Sequence, residues 1–425
     1  WFWGDHCYNV KSNYTSSAFR SYDVWYANYK WIANVNYIID AEPEMAGTEA
    51  DVAYVAGQAY AIRALCYLNL ATWFSRAPYN SLTGASRWNE PCVPVYTTGT
   101  SIDTGGQPRE SLRTVYGRID QDIDRAIELL EKARETTLAE NNKSHINLYV
   151  ALGIKSRACL AEGDWDGAFK AAKRVIDEGG YAVGTKSDLT SGMNSLDKQN
   201  VMWGAGIQVA DQAGGYAGFF THMDNKEGAY AKSAPKLISK QLYNRISATD
   251  IRRDWWDPSD KESPYVSKKF SFANVASFLG DYIYMRVEEM YFTAAEAALR
   301  LDDLKSAREL MNTVMAERDP GYSANNRSGT LLGATTTTWT GSFLENILTH
   351  RRIELWGEYG RLFDVRRLGQ GIDRRTDDGF SEECISMMNR RNVNITKADT
   401  YDWVLTIPKA ELDANPNINE EDQNP

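Results

Sequence analysis

Histidine and clustered cysteine are what this chain lacks. Its four histidines, His6, His145, His222 and His350, stand singly in 425 residues, and no HExxH zinc pattern forms. Five cysteines, Cys7, Cys66, Cys92, Cys159 and Cys384, are widely spaced. They make neither a CxxC redox pair nor a zinc spacing, and they leave the compartment open. Cys66 and Cys159 fall in helical patterns and read as small buried hydrophobes. A basic excess is missing too: 47 Lys+Arg stand against 57 Asp+Glu, a net charge of −10. That excludes nucleic acid as a partner, because phosphate binding needs clustered Lys and Arg. No stretch reaches the roughly 20 uninterrupted apolar residues of a membrane helix. The most apolar segment, residues 59–74, is broken by Arg63 and Asn69. The sequence starts at Trp1 with neither Met nor a leader and reads as a mature or trimmed chain, so export is left undecided.

Catalytic motifs are absent as well. There is no GxSxG, and no GxGxxG follows a clear strand. In the nearest approach to a phosphate loop, residues 179–187, Gly184 is followed by Thr185, which displaces Lys186 from the cradle. Glycoside hydrolysis needs two carboxyls about 5–10 Å apart, which spacing along a chain does not establish. Asp120, Asp122 and Asp124 read as a solvated helix face. No EF-hand spacing appears, so no metal is assigned and no cofactor is implied. An enzyme reading has no positive support.

Aromatics are what the chain has in abundance, 13 Trp, 24 Tyr and 13 Phe, within a composition that is 43% apolar. Such a chain folds. Trp25, Tyr29, Ile32, Val35, Asn36 and Ile39 recur at helical spacing, and a second helix runs from Glu49 to Phe74, stopped by Pro78. Trp25, Tyr29, Tyr67 and Trp73 are assigned to the helix core. Residues 78–108 form a long connection of the kind that is either functional or disordered. Ser111 caps a helix carrying Val115, Ile119, Ile123 and Leu130. Leu148 to Ala161, a Gly163-Asp164-Trp165 turn and a helix through Ala168, Ala172 and Val175 make a helical hairpin. A second such unit spans Glu289 to Leu301, Asp302-Asp303-Leu304 and Ala307 to Val314. Aligning the two gives a tetratricopeptide-like repeat. Helical periodicity lapses over 180–280, where short strands and loops are predicted, and residues 320–342 form another loop. A last long helix is predicted from Phe343 to about Tyr359.

Arg351, Arg352, Glu354, Glu358, Arg361, Asp364, Arg366 and Arg367 alternate in sign at short spacing, which predicts a structural ion-pair network. The loop aromatics carry the functional reading. A sugar ring offers an apolar face that Trp and Tyr can stack on and a hydroxyl rim that Asn and Arg can bond. Tyr79, Asn80, Arg87, Trp88 and Asn89 supply this mixture in the first long loop. Trp203, Tyr216, Phe219, Trp255, Trp256 and Trp339 are the other candidates.

The order of motifs resembles the SusD/RagB family of surface glycan-binding lipoproteins from the Bacteroidetes. Trp25-x3-Tyr29-x2-Ile32-x3-Asn36 is similar to the family's early helix. Gly57-Gln58-Ala59-Tyr60-Ala61-Ile62-Arg63-Ala64, followed by Tyr67-Leu68, Trp73-Phe74 and Pro78, resembles its next signature, with Gln58 where Glu is usual. Pro108-Arg109-Glu110-Ser111 matches the landmark after it. Arg286-Val287-Glu288-Glu289-Met290-Tyr291 with Ala294-Ala295-Glu296-Ala297 resembles a later motif. The stretch Arg352-Ile353-Glu354-Leu355-Trp356-Gly357-Glu358-Tyr359-Gly360-Arg361-Leu362-Phe363-Asp364-Val365-Arg366-Arg367 is similar to the most diagnostic one. Leu405-Thr406-Ile407-Pro408 with Glu411-Leu412 and Asn415-Pro416 resembles the C-terminal signature.

The resemblance implies a mainly α fold, an α-α superhelix with tetratricopeptide-like hairpins and long loop-rich insertions carrying a few short strands. It implies an N-terminal region over 1–190 and a C-terminal region over 191–425, packed as one structural domain. It also implies a non-catalytic lipoprotein on the outer membrane, anchored by a lipidated cysteine before Trp1. Such proteins bind an oligosaccharide, or in some relatives a peptide, and deliver it to a SusC-like TonB-dependent transporter. The family motifs are structural, so no ligand residue is carried over from them. A peptide-binding scaffold and, further off, a glycoside hydrolase are the alternatives.

Overall fold

The computed structural model describes residues 19–136, 138, 142–208, 218–373, 394–395, 400–401 and 404–425. Its framework is helical: α1 (Phe19–Ala41), α2 (Glu49–Phe74), α3 (Leu112–Lys132), α4 (Leu148–Glu162), α5 (Trp165–Glu178), α6 (Val287–Arg300), α7 (Leu304–Ala316), α8 (Phe343–Glu354) and α9 (Arg361–Leu368). Helices α1 to α7 stack in chain order, with α5 against α6 even though more than a hundred residues separate them. Side-chain caps mark the starts. Thr48 accepts from the Asp51 amide, Ser111 from Thr114 and Asn147 from Tyr149 and Val150, each satisfying an otherwise orphaned donor. At Gly57 a Cβ would stand 2.9 Å from Leu130 Cγ; glycine lets α2 approach α3 closely.

The two predicted hairpins share one turn. Gly163 and Asp302 both take left-handed backbone, at φ 76° and 61°. The next amide, of Asp164 or Asp303, reaches back to Cys159 or Ala298, at 2.9 Å in both cases. Each of these aspartates then caps the following helix, accepting at 3.0 Å from Gly167 or Ser306. The helix end and the next helix start are thus satisfied by the same two residues.

Between the hairpins lie short pieces, as the lapse in periodicity predicts: β1 (Val201–Ala205) paired antiparallel with β4 (Tyr282–Arg286), and β2 (Trp256–Asp257) with β3 (Val266–Ser267). The predicted helix through Tyr359 stops earlier. α8 ends at Glu354, and Gly357 and Gly360, at φ 76° and 118°, turn the chain into α9.

Within the charge block Arg351, Glu354, Asp364 and Arg367 are buried and ion-paired, as is the largely buried Glu358, whereas Arg366 is buried against the Ser75 carbonyl and Arg352 and Arg361 are half-exposed. Glu354 accepts from Arg318 Nε at 2.9 Å, Arg286 at 3.1 Å and Arg252 at 3.2 Å. Arg252 also forks onto Asp250, Arg318 onto Glu288, and Arg286 onto Glu358, which Lys269 reaches as well. Arg252, Arg286, Arg318 and Lys269 thus face Asp250, Glu288, Glu354 and Glu358, and the cluster is neutral. Burial raises the Glu354 carboxyl, but the three arginines hold it well below the usual range. Burial depresses His350 beside Arg252 so far that it stays neutral. A second buried cluster links Arg157 to Glu289, Arg351 to Glu289 and Asp364, and Arg367 to Asp364 and Glu296.

The predicted solvated face on α3 needs correcting. Asp122 is fully buried and takes both prongs of Arg63, at 2.8 and 2.7 Å. Arg63 also bonds Asn36 on α1 and the Thr97 carbonyl, while Asn36 donates to the carbonyls of Tyr96 and Thr98. Three helices and the long 78–108 connection are pinned at one point, so that connection is ordered. Asp124 alone is exposed, paired to Lys155. Asp120 accepts a hydrogen bond from Glu162, whose pKa is raised well above the carboxylate range by burial and by the charges of Asp120 and Asp164.

Two predictions follow from these charges. Glu354→Gln leaves Arg252, Arg286 and Arg318 short of one carboxylate, and is expected to cost about 3–5 kcal/mol, read as a lowered urea midpoint. Glu162 stays protonated in the fold at a pH where it would ionise unfolded. The folded state therefore binds more protons, and stability falls as pH rises from the carboxylate range towards the raised pKa. Glu162→Gln, which is always neutral, should flatten that slope and raise Tm at alkaline pH relative to the parent; an unchanged slope in a pH series of thermal melts would refute this.

Candidate ligand-binding site

The Arg63 junction fixes α1, and one side of α1 looks outward. Trp25, Tyr29, Ile32 and Asn36 turn inward, so helical geometry sends Trp31 and Asn34 the other way. Trp31 is 53% exposed. Opposite it stands the β1–β4 ribbon, whose Trp203 and Tyr284 rings meet edge to face at 5.0 Å. Between them opens a cleft of about 760 Å³, within the range of small-ligand sites. Ile62, Leu65 and Cys66 of α2 form its floor. Met193, Phe219, Phe270, Tyr282 and Ile283 close one wall, and the Gly357-Glu358-Tyr359 turn closes the end.

The charged groups in the cleft are already engaged. Arg157 forks onto Glu289 at 2.8 and 2.7 Å and lies 4.0 Å over the Tyr359 ring. Burial raises Glu358, but Arg286 and Lys269 overcome it and hold the carboxyl below its usual value. Lys269 is pushed down to about 8 by burial. What the cleft offers a ligand is therefore ring faces, aliphatic surface and neutral polar edges: Asn34, Asn69 and the tyrosine hydroxyls.

Of the described sequence candidates, Trp203 and Phe219 line this cleft. Trp255 and Trp256 are 2% and 1% exposed, so no ligand reaches them. Trp255 donates to the Leu189 carbonyl at 2.8 Å, and Trp256 packs edge-on against Trp356. The pair is a core anchor rather than a ligand surface, although it stands in a loop-rich stretch. Asn80 is buried and accepts from the Leu82 and Thr83 amides; Arg87 is buried and donates to the Ala77 carbonyl. Both hold their own loop in shape. Tyr79 packs on Trp165 and Trp88 on Tyr116, each half-buried, beside an exposed Asn89. Trp339 is half-buried with the Arg245 guanidinium 3.7 Å over its ring. Tyr216 lies outside the described residues.

Sequence reasoning missed Trp31, Asn34, Asn69, Tyr282 and Tyr284. Trp31 carried a usable signal, an aromatic set off the apolar stripe of its own helix. Tyr282 and Tyr284 alternate along a short strand, but nothing in the sequence pairs that strand with β1.

Comparison with known proteins agrees with this architecture. The model of the SusD family matches residues 225–425, and a SusD-like model described as starch-binding associating with outer membrane matches 3–160. The chain belongs to the SusD family. Among solved structures it is similar to a SusD-like carbohydrate binding protein from Bacteroides vulgatus, at 26% identity and TM-score 0.76 over 97% of this chain and 86% of that one. A SusD superfamily protein from Bacteroides thetaiotaomicron gives 22% identity and TM-score 0.75, covering 94% and 85%. A surface glycan-binding protein A from Bacteroides uniformis gives 18% and 0.68, covering 98% and 87%. These last two bear on the fold alone. No curated protein matches the sequence significantly.

The two kinds of tryptophan should separate in the laboratory. Trp255→Ala opens a core cavity and is expected to cost about 3–5 kcal/mol of stability. Trp203→Ala removes a half-exposed ring and should cost far less. Equal losses in chemical denaturation would contradict the assignment of Trp203 to an open cleft.

Proposed function

We propose that this protein is a non-catalytic, cell-surface oligosaccharide-binding protein. In this reading it is held on the outer membrane by a lipid anchor and hands its ligand to a SusC-like TonB-dependent transporter for uptake. The observation that carries the reading is the cleft in which Trp203, Tyr284 and Trp31 expose ring surface beside the neutral amides of Asn34 and Asn69. Flat rings next to amide edges suit the two chemistries of a pyranose, its C–H face and its hydroxyl rim. The relative from Bacteroides vulgatus described as carbohydrate binding supports the same ligand class. No described helix is long and apolar enough to cross a membrane, and the proposed attachment does not call for one.

The state of the cleft carboxylate supports a binding rather than a hydrolytic role. A glycosidase acid must keep its proton at working pH through a raised pKa. Glu358 is held in the opposite direction by Arg286 and Lys269. Trp203, Trp31 and Tyr284 are assigned to the ligand; Tyr79, Trp88 with Asn89, and Trp339 are candidates for contact with longer chains.

Affinity electrophoresis through gels holding a panel of polysaccharides tests this. At least one glycan should retard the protein, and Trp203→Ala and Trp31→Ala should each weaken that retention on the order of tenfold, or ~1.4 kcal/mol, with Tm little changed. Retention that survives both substitutions would place the site elsewhere. Release of reducing sugar from the retained glycan would overturn the non-catalytic assignment.

A further inference from the structure

We infer that the oligosaccharide bound in this cleft is neutral and carries an apolar ester substituent, aryl or acyl, which fills the inner end of the cleft. The inference rests on the glycan-binding reading and narrows its ligand class.

The two halves of the cleft differ in chemistry. At the mouth, Trp31 and Tyr284 are 53% and 40% exposed, and Asn34 lies on the same outward side of α1. Among the described residues neither the Asn34 amide nor the Tyr284 hydroxyl is engaged in a side-chain hydrogen bond. That is a surface for an ordinary sugar. The buried part of the lining is mostly apolar, Leu65, Cys66, Met193 and Phe270, with the half-buried Ile62, Phe219 and Ile283 beside it. Branched aliphatics and ring edges give a sugar hydroxyl nothing to bond, and a hydroxyl buried without a partner is penalised by its lost hydration. A bare glycan would therefore use the mouth and leave the inner volume filled with water against apolar walls. An aryl or acyl group attached to the sugar through an ester has the matching surface. It is flat or aliphatic, without donors, and joined through a carbonyl that can accept from an amide at the rim.

Charge argues for the rest of the statement. Arg157 is committed to Glu289 and Glu358 to Arg286 and Lys269. Among the described residues of the cleft, a sulfate or uronate would find no cation but Arg157, for which it would have to compete with Glu289. The site therefore favours a ligand without formal charge. Much of the cleft is lined by α1, α2 and the β1–β4 ribbon, and the Gly357-Glu358-Tyr359 turn at its end is held through Glu358 by Arg286 and Lys269.

A glycan array carrying feruloylated and acetylated oligosaccharides beside the same chains after alkaline saponification tests this on the unmodified protein. The esterified member of a pair should bind at least tenfold tighter than its saponified partner, and uronate-rich or sulfated chains should not bind. Ile62→Thr, which keeps the branched shape and adds a hydroxyl, should lower retention of the esterified chain severalfold more than that of the saponified one. Equal binding of both members overturns the inference while the glycan reading stands, as does preference for an acidic chain. Failure of every glycan on the array overturns the glycan reading itself. Capture of unmodified peptides in place of glycans overturns both.

Discussion

One carboxylate, that of Glu354, takes hydrogen bonds from three arginines that reach it from separate parts of the chain. Arg252 comes from the loop-rich middle, Arg286 from the end of β4, and Arg318 from beyond α7. Each of these ions would be costly to bury alone, and their attraction offsets that cost only when the geometry holds for all of them together. The consequence is cooperative placement. The middle region, which has little regular structure of its own, is located by where its cations must go. Lys269 makes the same point, donating to the carbonyls of Glu354 and Trp356 as well as to Glu358. The second cluster extends the constraint to α4 and α6, since Arg157 and Arg351 share Glu289.

From this network the site follows by short steps. Glu354 ends α8, and the glycines at 357 and 360 turn the chain so that Glu358 and Tyr359 close the end of the cleft. Arg286 is paired with Val201 at the end of β4, so the network that holds it also sets the register of β4 on β1, with Met285 opposite Trp203 and Tyr282 opposite Ala205. On the far side Arg63, Asp122 and Asn36 lock α1 to α2 and α3, which fixes Trp31. The C-terminal tail closes the same region: the Leu405 amide donates to the Trp73 carbonyl, and Asn424 reaches the Phe74 carbonyl. None of these ionic groups is offered to a ligand. They hold neutral surfaces in place, which is why the diagnostic motifs of the family lie inside and the candidate binding residues lie around them.

The division between what was legible in the sequence and what was not has the same origin. Helices with a strong apolar stripe were readable, and so was the repeated Gly-Asp and Asp-Asp turn, because capping and period are local properties. The mixed-charge block was readable as a network because its signs alternate. Arg63 and Asp122 were not readable as partners, because nothing local tells a carboxylate facing water from one facing an arginine two helices away. The tryptophans failed for a related reason. Trp255 and Trp203 sit in similar Gly-, Ser- and aromatic-rich surroundings, and only tertiary packing buries one and leaves the other half open. Trp31 stands in a helix, where an aromatic off the apolar stripe reads as surface rather than as a ligand contact.

That last point bears on how recognition works here. A loop aromatic can swing to meet a ligand, at the cost of ordering itself on binding. Trp31 on a pinned helix and Trp203 on a paired strand have little freedom to lose, so ring faces are presented before a ligand arrives. Ordered rings give affinity through shape and apolar contact. Arg157 and Glu358, the charged groups among the described residues of the cleft, are already paired, so no strong ionic bond has to break when a ligand leaves. Affinity among related complexes is tuned mainly through dissociation, so in the proposed role of handing a ligand on, a neutral cleft keeps that step fast. Locking the charges into the scaffold and leaving the cleft neutral serves both ends: the buried ion pairs specify the fold, and the surface they position can bind without holding on.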